Sequence, residues 1–330
     1  MSNPVPVPKE LLDFIKKGAK FLVAGHKEPD GDCVGSQLAL SSVLQRLGKE
    51  AIPCSAGPFK RTELLPYKDS FITCPGTKER AGAGVIIMDC SAPRRTGDLA
   101  AGLEGLPTAV IDHHISGEYG TKTSEALVYL DPAAYSVTVM VLRIIEALGL
   151  HPTPEEAELL LFGLCTDTGF FRHIDERGAE TLEYAARMIR AGASPKRIFQ
   201  LIHGGKSLNS RFLLGIQLSK VQAFFGGKLL LTTEAYEDTR RFGLEGRDSD
   251  TLYQLLQSIA GVEAIVAIRQ ETLENCTLGL RSRDTVDVAA IAAKFGGGGH
   301  KNAAGISIPG TIETLYPQIL EAFKGLWNEE

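Results

Sequence analysis

Three short apolar runs in the first third of the chain end in the same way. "FLVAGH" (21–26), "GVIIMD" (84–89) and "TAVIDHH" (108–114) each lead straight into an acid or an imidazole. Continuous apolar and β-branched residues bounded by glycine or polar positions predict strands buried on both faces, as in a parallel sheet. Between and after these runs, apolar positions recur at helical spacing over 34–48, 136–149, 153–167 and 178–192. Alternating strands and helices predict an open α/β sheet with right-handed crossovers. Ligands of such sheets bind beyond the carboxyl ends of the strands. His26, Asp89 and the triplet Asp112, His113 and His114 all fall there.

The pattern changes after "AGASPK" (191–196). A long helical stretch over 207–225 leads to "KLLLTTEAY", a helix at 250–261, strands at 263–270 and 276–283, and a helix at 287–295. A glycine run, "GGGGHKNAAG", then precedes a last helix near 311–327, whose Ile312, Leu315, Ile319, Leu320, Phe323 and Leu326 share one face. This half predicts a smaller α/β domain with a mixed sheet. The expected organisation is a first domain at 1–190 with a mainly parallel sheet and helices on both faces, a linker at 191–206, and a second domain at 207–330. Two cores suit 330 residues, since single cores stop growing near about 250 to 300.

Composition narrows the class. Apolar residues make up 44% and charged ones 23%, the balance of a globular enzyme rather than a disordered chain. A net charge of −5 argues against a broad basic surface for long duplex nucleic acid, while leaving room for a local pocket holding a short anion. The six cysteines show no C-x-x-C spacing, so neither a zinc ribbon nor a disulfide framework is expected. "MSNPVPVPKE" lacks the basic and apolar regions of a signal peptide, and no apolar run approaches the roughly 20 residues that span a bilayer. A reducing, cytoplasmic location without membrane contact is the expectation.

"HKEPDGD" (26–32) sets His26, Asp30 and Asp32 in a turn tightened by Pro29 and Gly31. Carboxylates aimed at one point repel unless cations sit between them; a surface turn with helix-capping acids is the alternative for this stretch alone. Asp89, Asp112 and His113 end strands, and Asp167 sits in "CTDTGFF" at the end of a helix that is apolar on nearly all sides. Each is separately explicable as a buried acid, a cap or a core histidine. Together at element ends they point to a metal site. Oxygen-rich donors with one or two imidazoles suit Mn²⁺ or Mg²⁺, and the mixed His/Asp set favours Mn²⁺. Two such ions activate water and neutralise charge on a phosphoryl group, so the chemistry implied is phosphoester hydrolysis.

"HKEPDGDCVGS", the aspartate of "IIMD", "DHH", "CTDTGFF" and "GGGGHKNAAG" follow one another along nearly the whole chain. In this order they resemble the motifs of the DHH phosphoesterase superfamily with its associated C-terminal domain. The stand-alone, two-domain length resembles the branch of oligoribonucleases that also dephosphorylate 3′-phosphoadenosine 5′-phosphate (pAp). The resemblance implies that His26, Asp30 and Asp89 hold one Mn²⁺ and that Asp32, Asp89, His113 and Asp167 hold the other, with Mg²⁺ as a substitute. It implies that His114 lies by the scissile phosphate and that Asp112 supports the histidine pair. One departure is visible: relatives often read S-S-T-x-E after the DHH strand, whereas this chain reads "SVTVM" (136–140), with Met140 in place of a carboxylate.

In the second domain, Gly297, Gly298 and Gly299 follow a helix C-terminus, whose partial negative charge repels phosphate. Anion binding there has to come from loop N–H groups turned inward and from nearby cations. Arg281, Ser282, Arg283, His300 and Lys301 supply donors around it. Arg172 and His173 are substrate contacts or ordinary loop residues, and Phe170 and Phe171 are expected in the core. The expected substrates are short single-stranded RNA, dinucleotides and pAp, cleaved to mononucleotides, with a homodimer left open. The alternatives are a phosphodiesterase for cyclic dinucleotides or their linear products and, in another class, a non-catalytic nucleotide-binding module.

Overall fold

The computed structural model describes residues 4–91, 93–114, 126–243, 246–283 and 285–327. Residues 1–3, part of the segment read for a leader, lie outside the described residues. Two compact units divide at Gly204 and Gly205.

The first unit carries five parallel strands, β1 (Lys20–Ala24), β2 (Glu50–Cys54), β3 (Gly84–Met88), β4 (Thr108–Asp112) and β5 (Leu127–Leu130). Their spatial order is β2-β1-β3-β4-β5. Alternate residues of the same strand enter opposite cores. Phe21, Val23, Ile86, Met88, Ala109 and Ile111 pack on one side, and Leu22, Ala24, Val85, Ile87 and Val110 on the other. Burial on both faces is why these runs are continuously apolar. Two strands escape the sequence pattern, β2 because "EAIPC" is only partly buried and β5 because "LVYL" sits on the sheet edge with Val128 exposed.

The Gly31–Arg46 helix packs on the Pro154–Asp167 helix with backbones nearly touching. A Cβ at Gly35 would lie 2.5 Å from the Leu159 carbonyl oxygen, and one at Gly163 would lie 2.5 Å from Thr138 Cγ2 and 3.1 Å from Asp32 Oδ1. Gly163→Ala is therefore expected to destabilise the first unit by about 1–3 kcal/mol through overpacking and to displace Asp32. Paired thermal melts and activity measurements test both effects; unchanged activity at a lowered Tm would rule out the second.

The stretch 191–206 is not an open connector. It carries the Pro195–His203 helix, which opens on a Ser194 cap and buries Ile198 in the core of the first unit. Its apolar residues recur on one face, so the core claims it.

The second unit holds a six-stranded sheet, β6 (Gln222–Phe224), β7 (Leu229–Glu234), β8 (Ala264–Thr272), β9 (Asn275–Ser282), β10 (Gly298–His300) and β11 (Ala303–Pro309). The order is β10-β11-β9-β8-β7-β6, with β7 and β8 parallel and the other pairs antiparallel. The sheet is mixed, as the sequence predicts. The 207–225 stretch, expected as one helix, is a Leu208–Ser219 helix followed by β6, because Gln222–Phe224 pairs with β7. The glycine run is not a loop either: Gly298–His300 pairs with Ala303–Gly305 as a hairpin strand. Among the described residues, no helix is long and apolar enough to cross a membrane.

Candidate active site

In the first unit the chain runs from β1 to its neighbour β2 on one side and later to β3 on the other. Such a reversal opens a crevice at the carboxyl ends of β1 and β3. His26 stands two residues beyond β1 and Asp89 directly beyond β3, while Asp112 closes β4 and is followed by His113 and His114. Asp30 caps the Gly31–Arg46 helix by accepting from Cys33 N at 3.0 Å, Asp32 lies in its first turn, and Asp167 ends the Pro154–Asp167 helix. Among the described residues three groups bring donor atoms within 4.8 Å of one another: His26, Cys33 and Asp89; Asp89, His113 and His114; and Asp32, His113 and Asp167.

Asp89 occupies the centre. Its Oδ2 lies 3.4 Å from His26 Nε2, and its Oδ1 lies 3.6 Å from both His113 Nε2 and His114 Nδ1. Its backbone is in the left-handed region, φ 58°, which Asp tolerates better than bulkier residues. His26 Nε2 is 3.8 Å from Asp30 Oδ1, and His113 Nε2 is 3.4 Å from Asp167 Oδ2. Both imidazoles are oriented from behind: Nδ1 of His26 faces the Lys27 carbonyl and Nδ1 of His113 the Ala134 carbonyl, each at 2.9 Å. Each Nε2 is then the ring atom turned toward the carboxylates.

Asp32 and Asp112 are held by backbone. The carboxylate of Asp32 accepts from Val137 N at 2.6 Å and Thr138 N at 3.0 Å, the first amides of the Val137–Ala147 helix, where helix N-termini favour anions. Oδ1 of Asp112 accepts from His113 N at 2.8 Å, His114 N at 3.2 Å and His114 Nδ1 at 2.7 Å. This fixes the ring of His114, which is 38% exposed, whereas the ring of His113 takes its orientation from Ala134. Met140, at the position where a carboxylate was expected, is fully buried in the core. The same helix contributes its N–H groups to the site instead.

Four carboxylates share this small volume. Burial and the charge of Asp89 push Asp32 up to about 7, and burial with the charge of Asp32 pushes Asp167 up to about 8. Asp89 is raised as well, by burial and by Asp30. Burial opposes protonation of His113, yet Asp32, Asp89 and Asp167 outweigh it and raise the imidazole to about 9. Burial also opposes the charge of Asp30, but His26 and the Cys33 N–H hold it near 2. Oδ1 of Asp89 is buried with no hydrogen-bond donor. A donor set this rich in oxygen and short of positive charge fits divalent cations.

A cation needs these groups bare, so protons compete with it. Adding a divalent cation near neutral pH is expected to release protons, and affinity should rise as pH climbs through the Asp32, Asp167 and His113 values of about 7, 8 and 9. Calorimetry in buffers of different ionisation enthalpy counts the protons. Binding independent of pH across that interval would contradict the arrangement.

Residues 20–164 match the N-terminal domain of the DHH family, and residues 227–329 match the DHHA1 domain. A Thermus thermophilus relative, named bifunctional oligoribonuclease and PAP phosphatase NrnA, is 33% identical over 303 residues, covering 92% of this chain and 88% of its own. The chain belongs to the DHH family. A Bacillus subtilis relative of the same name is 26% identical, covering 91% of this chain and 92% of its own. A Bacteroides fragilis structure, described as an exopolyphosphatase-related protein, shares the fold with a TM-score of 0.78 at 23% identity, covering 96% of each chain. As a DHH phosphoesterase, the protein is a hydrolase acting on phosphoester bonds.

In the DHHA1 unit the residues expected to meet substrate separate by face. Register places Gly298, Gly305 and Gly279 in one row and His300, Ala303 and Arg281 in the next, and directly paired antiparallel residues share a face. The guanidinium of Arg281 lies 4.6 Å from the ring centroid of Tyr253. Ser282 is on the opposite face, buried, and its hydroxyl is engaged internally, donating to Val286 O at 2.6 Å. Gly299 shares that opposite face, at φ 149°, where a Cβ would come within 2.4 Å of the Ala303 carbonyl oxygen. Arg283 is exposed and donates to Gln257 O, and Lys301 is exposed. Phe170 and Phe171 are half-buried against the core of the first unit, with Phe170 also against Phe199 at 5.3 Å. Sequence reading missed Cys33 as a member of the cluster, although its place directly after Asp32 was the available signal.

Proposed function

We propose that this DHH phosphoesterase is a Mn²⁺-dependent phosphohydrolase that degrades short oligoribonucleotides to mononucleotides and removes the 3′-phosphate of pAp. The observation that carries the reading is the gathering of His26, Asp30, Asp32, Asp89, His113 and Asp167 around one crevice, with Asp89 turning one oxygen to each half. In this reading His26, Asp30 and Asp89 hold one ion, and Asp32, Asp89, His113 and Asp167 hold the other. The chemistry that Mn²⁺ supplies when bound is acidification of water and neutralisation of charge growing on phosphoryl oxygens.

The remaining roles belong to the chain. Asp112 holds His114 in one orientation, so that its exposed ring meets the phosphate or the departing oxygen. Arg281 and His300, one row of the DHHA1 sheet, bind the nucleotide's anionic end, with Gly298 allowing close approach. The choice of substrates is supported by the Thermus thermophilus relative, whose likeness runs through both domains.

The test is a panel at fixed Mn²⁺: 5′-labelled di- to pentaribonucleotides, pAp, a cyclic dinucleotide and longer RNA. Mononucleotides from the short RNAs and inorganic phosphate from pAp are expected, with little turnover of the other two. Preference for the cyclic dinucleotide would move the protein to that phosphodiesterase class. Tight binding without cleavage under Mn²⁺ or Mg²⁺ would make it a binding module.

A further inference from the structure

Hydrolysis as described leaves the thiol of Cys33 without a role. Cys33 follows Asp32 on the first turn of the Gly31–Arg46 helix and is fully buried. Its Sγ lies within 4.8 Å of a ring nitrogen of His26 and of a carboxylate oxygen of Asp89, and those two atoms lie within the same distance of each other. The thiol is confined. Its backbone N–H is tied to Asp30 Oδ1 at 3.0 Å, and a Cβ on Gly25 would fall 2.2 Å from Sγ, so the sulfur rests against bare backbone. The thiol donates to Gln37 Oε1 at 3.4 Å, and Gln37 is itself pinned by Val23 O at 2.8 Å and Cys54 O at 2.9 Å. That contact is the resting arrangement of a neutral S–H, held beside an imidazole and a carboxylate.

Hard and soft cations read such a mixed set differently. Mn²⁺ and Mg²⁺ prefer oxygen and imidazole and gain little from sulfur, whereas Zn²⁺ and Cd²⁺ bind thiolate strongly. We propose that Cys33 is a conditional metal ligand: thiophilic divalent ions recruit it together with His26 and Asp89, while Mn²⁺ leaves it a neutral thiol. Recruitment breaks the S–H bond, the proton passes to solvent, and the sulfur lone pair is donated to the metal with no change of oxidation state. The consequence is that Zn²⁺ displaces Mn²⁺ from the His26 half of the site and arrests turnover. The inference rests on the reading of His26 and Asp89 as metal-binding residues.

The test uses the full chain carrying Cys74→Ser, which removes an exposed thiol, and compares Cys33, Cys33→Ser and Cys33→Ala in that background. Cd²⁺ titrated into metal-free protein is expected to produce an ultraviolet thiolate-to-cadmium charge-transfer band with Cys33 present and none in either Cys33 variant. Zn²⁺ displacement of Mn²⁺, followed by the Mn²⁺ paramagnetic resonance signal, should weaken about tenfold or more in both variants, while Mn²⁺ affinity changes by less than about threefold. Retained Mn²⁺ binding certifies that the variants are folded. A band that survives both substitutions, or Zn²⁺ competition unchanged by them, overturns the role of Cys33. Failure of Mn²⁺ to bind even with Cys33 present overturns the underlying metal-site reading, and the proposal with it.

Discussion

Asp89→Asn should lower kcat by more than about a thousandfold, the upper range for removing one direct charge-stabilising group, while leaving the fold intact. Asn matches Asp in size and tolerates the left-handed backbone found here, φ 58°, so backbone strain does not confound the result. What it removes is the charge whose two oxygens face His26 on one side and His113 and His114 on the other, at 3.4 and 3.6 Å. The amide offers one acceptor in place of two and no charge, so both halves of the site lose affinity together. Mn²⁺ stoichiometry by paramagnetic resonance should fall, with circular dichroism unchanged. A variant keeping about a tenth of kcat or more would remove Asp89 from the centre of the site.

Asp112→Asn is expected to act by another route, lowering kcat about 10- to 100-fold as loss of an orienting partner does, with KM nearly unchanged. The charge-assisted bond from His114 Nδ1 at 2.7 Å becomes a neutral one, and the ring loses its fixed orientation. Because Asp112 acts through His114, its replacement in a His114→Ala background should cost little more than His114→Ala alone. Fully additive losses in the double variant would show a role for Asp112 independent of the His114 ring, exerted instead through the backbone N–H groups of residues 113 and 114.

The site was legible in sequence because its residues follow local rules. His26, Asp89 and Asp112 to His114 sit where apolar runs stop, and Asp30 and Asp32 occupy a capping position and the turn after it. The second unit was less legible. Gly298–His300 has no strand composition and becomes β10 only because β11 offers a partner, and Ser282, attractive between two arginines, turns its hydroxyl inward to Val286. Met140 shows the same limit: the departure was visible, but its outcome as a buried core residue was not.

The order of apolar runs, the helical periodicities and the succession of acids and imidazoles determined the α/β class, the presence of two units and the identity of the clustered residues, because those are properties of neighbouring positions. Tertiary packing decided the rest. It set Asp32 on the amides of Val137 and Thr138, turned one oxygen of Asp89 to each half of the site, and brought Gly163 against Thr138. It also laid the thiol of Cys33 beside His26 and Asp89. Distance along the chain carries no record of which atoms meet; that is settled when the faces of the sheet and the helices close on one another.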